Sequence, residues 1–163
     1  MGRLSKNLWP IAVAVFSIGA AFAPAAALAE PPAAVGSTLS FKAPGGIAYT
    51  VDLTQIYAAA KGFGDGEDVV FRITNRSLSH RLALDPAGDA GLLAQSLLSS
   101  PKIYPPSAKP DSACSHAIYA PQFLAPRHSE TGCLVFPVPV LAKVVGVEWT
   151  AGPGQSASWT VEV

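Results

Sequence analysis

Apolar and polar residues alternate with a period of two along most of this chain, the period of strands whose two faces meet different surroundings. In segment 68–75, Val69, Phe71 and Ile73 fall on one face and Val70, Arg72 and Thr74 on the other. That predicts a half-buried antiparallel strand. Segment 46–57, GIAYTVDLTQIY, is rich in β-branched and aromatic residues, with Ile47, Tyr49, Val51 and Leu53 opposing Ala48, Thr50, Asp52 and Thr54. Between them KGFGDGED, 61–68, carries three glycines and three acids and reads as a hairpin loop. Farther on, Leu134, Phe136 and Val138 alternate with Cys133, Val135 and Pro137. Segments 143–149 and 156–163 follow, the last setting Trp159, Val161 and Val163 against Ser158, Thr160 and Glu162 after a TAGPGQ turn. Trp159 is expected in the core.

Seven or eight short strands with turn signals between them, and no sustained helical period, predict two antiparallel sheets packed face to face. One stretch is ambiguous. In 89–99, Leu92, Leu93, Leu97 and Leu98 form an apolar patch behind an Asp cap if the segment is helical, and it reads equally as an edge strand plus loop. Those leucines belong to the core or cover an apolar ligand pocket. Pro137 cannot donate to a central ladder, so an edge position is expected there, with Pro139 ending the strand.

The amino terminus changes the picture by setting the compartment. Arg3 and Lys6 precede the apolar run 8–23, and Ala27-Leu28-Ala29 has the small residues of a processing site. That pattern predicts a signal peptide over 1–29, cleaved after Ala29, and one mature domain over 30–163. An uncleaved anchor is the rival, which Pro10 and Pro24 disfavour. Removing Arg3 and Lys6 leaves 9 basic residues against 11 acids, a formal net charge of −2. That balance is no footprint for nucleic acid, and no stable membrane anchor is expected after cleavage.

Cysteine use agrees with export. Cys114 and Cys133 are an even pair in an exported chain, which reads as one disulfide. Cys133 would then hold down the preceding 99–112, SSPKIYPPSAKPDS, which has four prolines and little reason to pack. Free buried thiols and metal ligation by the pair are the weaker alternatives.

Candidate chemistry is sparse. His80, His116 and His128, with the Cys114-x-His116 spacing, invite a copper reading, but the sole methionine is Met1, so an axial Met is missing from the mature chain. His128, Ser129 and Glu130 are sequence neighbours without a Gly-x-Ser-x-Gly elbow. Asp65, Glu67 and Asp68 lack the spacing that wraps calcium and read as a solvated turn. No catalytic residue, metal site or cofactor is expected. The candidate binding loop is KIYPPSAK, with Lys102, Tyr104, Pro105, Pro106 and Lys109 on a segment that a rigid sandwich would present.

LAPRHSETGCLVFPVP, with VGSTLSFKAPGGIAYTVDLTQIY and DVVFRITNRS earlier in the chain, resembles the small secreted immunoglobulin-like antigens of mycobacteria and other actinobacteria, a telokin-like β-sandwich family. The resemblance spans most of the mature chain in order through structural motifs of low specificity; the Cys114 and Cys133 pair and the proline-rich segment depart from it. It implies an all-β, immunoglobulin-like antiparallel β-sandwich of seven to eight strands, exported, immunogenic and without catalytic residues. The expected function is a secreted, non-enzymatic module contacting an extracellular or cell-envelope protein. An extracytoplasmic carrier of a small apolar ligand or metal ion is the alternative.

Overall fold

The computed structural model describes residues 32–59, 66–96, 99–108, 112, 114, 116–118, 122–139 and 141–161. The signal peptide expected over 1–29, Lys61 and Asp65 of the hairpin loop, Leu97, Leu98, Lys109, Glu162 and Val163 lie outside them. Among the described residues eleven strands follow in chain order: β1 (Ala33–Ala34), β2 (Thr38–Ala43), β3 (Ile47–Ala58), β4 (Gly66–Asn75), β5 (Leu82–Leu84), β6 (Ala90–Gln95), β7 (Lys102–Tyr104), β8 (Gln122–Leu124), β9 (Ser129–Pro137), β10 (Lys143–Thr150) and β11 (Ser156–Thr160). The one α-helical turn among the described residues is α1 (Pro86–Asp89).

Two sheets carry the fold. One has the order β2-β3-β4-β9, the other β1-β11-β10-β6-β7, and β5 pairs with β8 as a separate ribbon. The chain runs β2-β3-β4 in the first sheet, crosses to β6-β7 in the second, returns for β9 beside β4, and crosses again to β10-β11. This connectivity gives an all-β immunoglobulin-like sandwich, with β4, β6, β9, β10 and β11 in the places of strands B, C, E, F and G. Strand β1 adds to β11 in parallel. Seven of the eleven strands have five residues or more, and these match the seven or eight expected.

The core is built by the alternation read from the sequence. Val69, Phe71 and Ile73 of β4 and Tyr49, Val51 and Leu53 of β3 are buried against Trp149 and Trp159 of the other sheet. Phe71 meets Trp149 edge-on at 5.3 Å between ring centres and Trp159 at 6.3 Å, at the place where antibody domains set their inter-sheet disulfide. A bulge between Leu53 and Gln55 shifts the phase of β3 by one residue. Ile56 therefore continues the inward face that Leu53 left.

Three expectations need correcting. Segment 90–95 is neither helix nor edge strand: it pairs with β10 on one side and β7 on the other. The helix stops at Asp89 and its cap is Asp85, whose side chain accepts from the Gly88 N–H. Leu92 and Ala94 face the core while Leu93 is half-buried and Gln95 exposed, a period of two that the adjacent leucines hide. Glu67 and Asp68 belong to β4 rather than to a solvated loop, and Asp68 is fully buried. Pro137 does lie on an edge strand, since β9 closes its sheet.

Candidate functional site

Cys114 and Cys133 are disulfide-bonded, and the bond fastens a covering segment along the free edge of β9. Ser107 N–H donates to Val135 C=O at 2.7 Å, Ile118 N–H to Cys133 C=O at 3.2 Å and Cys133 N–H to His116 C=O at 2.9 Å. Strand D of an immunoglobulin domain would sit here; an isolated bridge between Ala117 and Cys133 stands in for it. The middle of the outward face of β9 is thereby dry, and Cys114, Cys133 and Val135 form a second small core. Of the candidate binding loop, Lys102 and Tyr104 belong to edge strand β7, Tyr104 half-buried against the main core. Pro105 is exposed and Pro106 half-buried, and by Ser107 the chain has reached β9.

The histidines are exposed and scattered in their partners. His116 Nε2 lies 3.2 Å from Glu130 Oε1, His128 Nδ1 lies 2.9 Å from Pro126 C=O, and His80 Nδ1 lies 3.0 Å from Ser79 Oγ. Ser129 Oγ is 2.8 Å from Thr74 Oγ1. His128, Ser129 and Glu130 therefore address three separate groups instead of one another. No cluster of three or more His, Cys, Asp or Glu placed to hold a metal ion occurs among the described residues. No helix among them is long and apolar enough to cross a membrane.

A surface that the sequence does not advertise lies where β4 ends and β9 begins. Asn75, fully buried, donates from Nδ2 to the carbonyls of His80, Leu124 and Ala125 and accepts from the Ser77 N–H. One amide thus ties loop 76–81 to turn 125–128. In that turn His128 N–H donates to Ala125 C=O at 3.1 Å, Pro126 takes the second place and Arg127 the third with φ of 60°. Glycine or asparagine is the usual residue there, because a Cβ makes the left-handed conformation costly. Leu141 is the other non-glycine residue with positive φ among the described residues.

Arg127 shares a groove of about 240 Å³ with Thr74, Arg76 and Leu78, and Arg76 also borders a second groove of about 440 Å³ that holds Lys42. Neither groove is lined by an acid among the described residues. Lys42, Arg76 and Arg127 have no ion-pair partner there, and Leu78 is 72% exposed. Leu78 is an apolar side chain standing among unneutralised cations. The only sequence signal was Pro126 followed by Arg127, a turn with its proline and without its glycine.

At the same pole, Asp89 is half-buried. Burial first, and the neighbouring Asp85 carboxylate second, raise its carboxyl to about 6, against a backbone hydrogen bond at Asp85 that lowers it. An unfolded Asp titrates near 4, so between about pH 4 and 6 the folded chain holds a proton that the unfolded chain releases, and stability falls as pH rises through that window. Asp89→Asn is expected to remove this component and to stabilise at pH 7 by at most about 1 kcal/mol, after allowing for solvent screening of a half-exposed group. Urea unfolding of both proteins at pH 4 and pH 7 checks it. Curves separated equally at the two pH values would refute the assignment.

No protein-family model, curated protein or solved structure matches this chain.

Proposed function

We propose that the chain is an exported, non-enzymatic immunoglobulin-like protein that serves as an interaction module in the cell envelope or toward a host. In this reading it engages an acidic protein surface through Arg76, Leu78 and Arg127. The observation that carries it is Arg127. A residue held in left-handed backbone, at a turn position where glycine costs nothing, marks strain maintained for a purpose outside the fold. Its guanidinium has no acid to pair with among the described residues, and an exposed leucine and a second arginine border the same groove. Arginine is among the residues enriched at energetically dominant interface centres.

Three further points support the reading. Loops 76–81 and 151–155 occupy the pole where immunoglobulin variable domains carry their binding loops, an argument by analogy. The disulfide suits an oxidising compartment. The sequence resemblance to secreted immunoglobulin-like antigens of actinobacteria implies the same exported role.

The test uses protein recovered from the medium with an intact mass beginning at Glu30. Envelope and medium proteins of the producing cells are captured on it at low salt and at about 0.5 M, where the screening length is about 4 Å. Acid-rich partners are expected to be retained at low salt, released at high salt and lost to an Arg76→Glu/Arg127→Glu double variant. Arg127→Gly should gain about 1 kcal/mol of stability by relieving the backbone and lose capture. Capture that is indifferent to both variants would overturn the proposal.

A further inference from the structure

A cleft of about 530 Å³ opens at the opposite pole of the sandwich, between the ends of β3 and β4 on one sheet and of β1, β10 and β11 on the other. Its walls are mostly apolar: Val35, Ile56, Val144 and Val161 line it, with Ala58 at the rim. The bulge in β3 is what makes this possible. Without the extra residue at Thr54, Ile56 would turn to the outer face and the cleft would lose a wall.

Tyr57, Thr160 and Glu67 also line the cleft, Glu67 being its acid. Glu67 lines the cleft from the start of β4, and its carboxyl has neither a hydrogen bond nor an ion pair among the described residues. Burial pushes that carboxyl above its ordinary value, the sign of a charge that apolar surroundings leave poorly solvated. No Lys, Arg or His is among the described residues that line the cleft. A volume in the range of small-molecule pockets, mostly apolar walls and a few polar groups that fix orientation are the ordinary features of a ligand site.

We propose that this cleft binds one small amphipathic molecule, an alkyl or aryl body seated on Val35, Ile56, Val144 and Val161 with a protonated amine against the Glu67 carboxylate. An amine is the head group that the charge selects. A cation compensates the carboxylate's lost hydration, a hydroxyl offers one neutral hydrogen bond, and a second carboxylate is repelled. The site lies on a different surface from Arg127, so its test is independent of the interaction-module reading.

The test is a matched series of probes, decylamine, decanol and decanoate, titrated below their micellar concentrations into the mature disulfide-bonded protein at neutral pH. Calorimetry gives affinity and amide NMR gives location. Decylamine is expected to bind about tenfold more tightly than decanol, the worth of one charge-assisted contact, with decanoate weakest and shifts centred on Val35, Ile56 and Val144. Glu67→Gln, nearly isosteric, should bring the amine level with the alcohol while leaving decanol binding unchanged. Ala58→Phe, at an exposed strand position that tolerates an aromatic ring, should fill the cleft and abolish binding of all three. Absence of decylamine binding, equal affinity for amine and alcohol in the unmodified protein, a preference surviving Glu67→Gln, or shifts elsewhere would each overturn the proposal.

Discussion

Trp149→Ala is expected to lower the unfolding free energy by about 3–5 kcal/mol, the range for deleting a fully buried aromatic side chain. Trp149 contributes in two ways. Its ring meets Phe71 edge-on and closes the centre of the sandwich, and its Nε1–H donates to the Tyr49 hydroxyl at 3.1 Å in a buried environment. Trp149→Phe separates the two, since it keeps most ring contact and removes the donor, and it is expected to cost about 1–3 kcal/mol. Unfolding in urea followed by circular dichroism measures both. A second readout is the phenol itself. Burial, foremost, holds the Tyr49 hydroxyl at about 12, opposed by the Trp149 hydrogen bond and aided by the Asp89 charge. Water entering the space left by Trp149→Ala should bring it back toward 10 in an ultraviolet titration, the value of a solvated phenol. An Ala variant less than about 1 kcal/mol below the parent, with the phenol unmoved, would show that the two sheets do not meet here.

Strands with one wet face were legible because the pleat writes that face into the sequence, as in 68–75. Strands buried on both faces were not. Val135 looked like the outward partner of Leu134 and Phe136, yet from Cys133 to Val135 both faces of β9 are dry because the stapled segment covers the second. Adjacent leucines hid the period of 90–95 for a related reason, since Leu93 is half-buried beside Ile103 of the edge strand. At two or three residues, β1, β5, β7 and β8 are too short to carry a period at all. The candidate surfaces were harder still. Arg76 and Arg127 are fifty-one positions apart in the numbering and meet only because β4 pairs with β9 and Asn75 binds the two loops. The cleft brings together residues from Val35 to Val161, an assembly that no local window contains. The proline-rich segment drew attention by composition, and the sheet has absorbed its first part as β7.

Opening the Cys114–Cys133 disulfide, by reduction or by the Cys114→Ser/Cys133→Ser pair, is expected to cost about 3 kcal/mol. That is the chain-entropy value for releasing a loop of about twenty residues. The consequence is directional as well as energetic. The bond holds the cover of β9, so its loss should free backbone hydrogen bonds at His116, Ile118 and Cys133 and wet Val135 and buried Asp68, while the Phe71, Trp149 and Trp159 centre stays packed. Hydrogen exchange resolves this, with faster exchange at Ile118 and Cys133 before any change at Phe71 and Trp149. Gly132→Ala reaches the same cover without touching sulfur. Its Cβ would stand 2.8 Å from His116 C=O and collide with Ile118, so a cost of about 1–3 kcal/mol and the same local exchange pattern are expected. Uniform acceleration across both sheets in either protein would make the staple a global clamp. Acceleration confined to the β9 edge would leave both poles of the sandwich intact, and with them the Arg127 turn and the Glu67 cleft in the reduced protein.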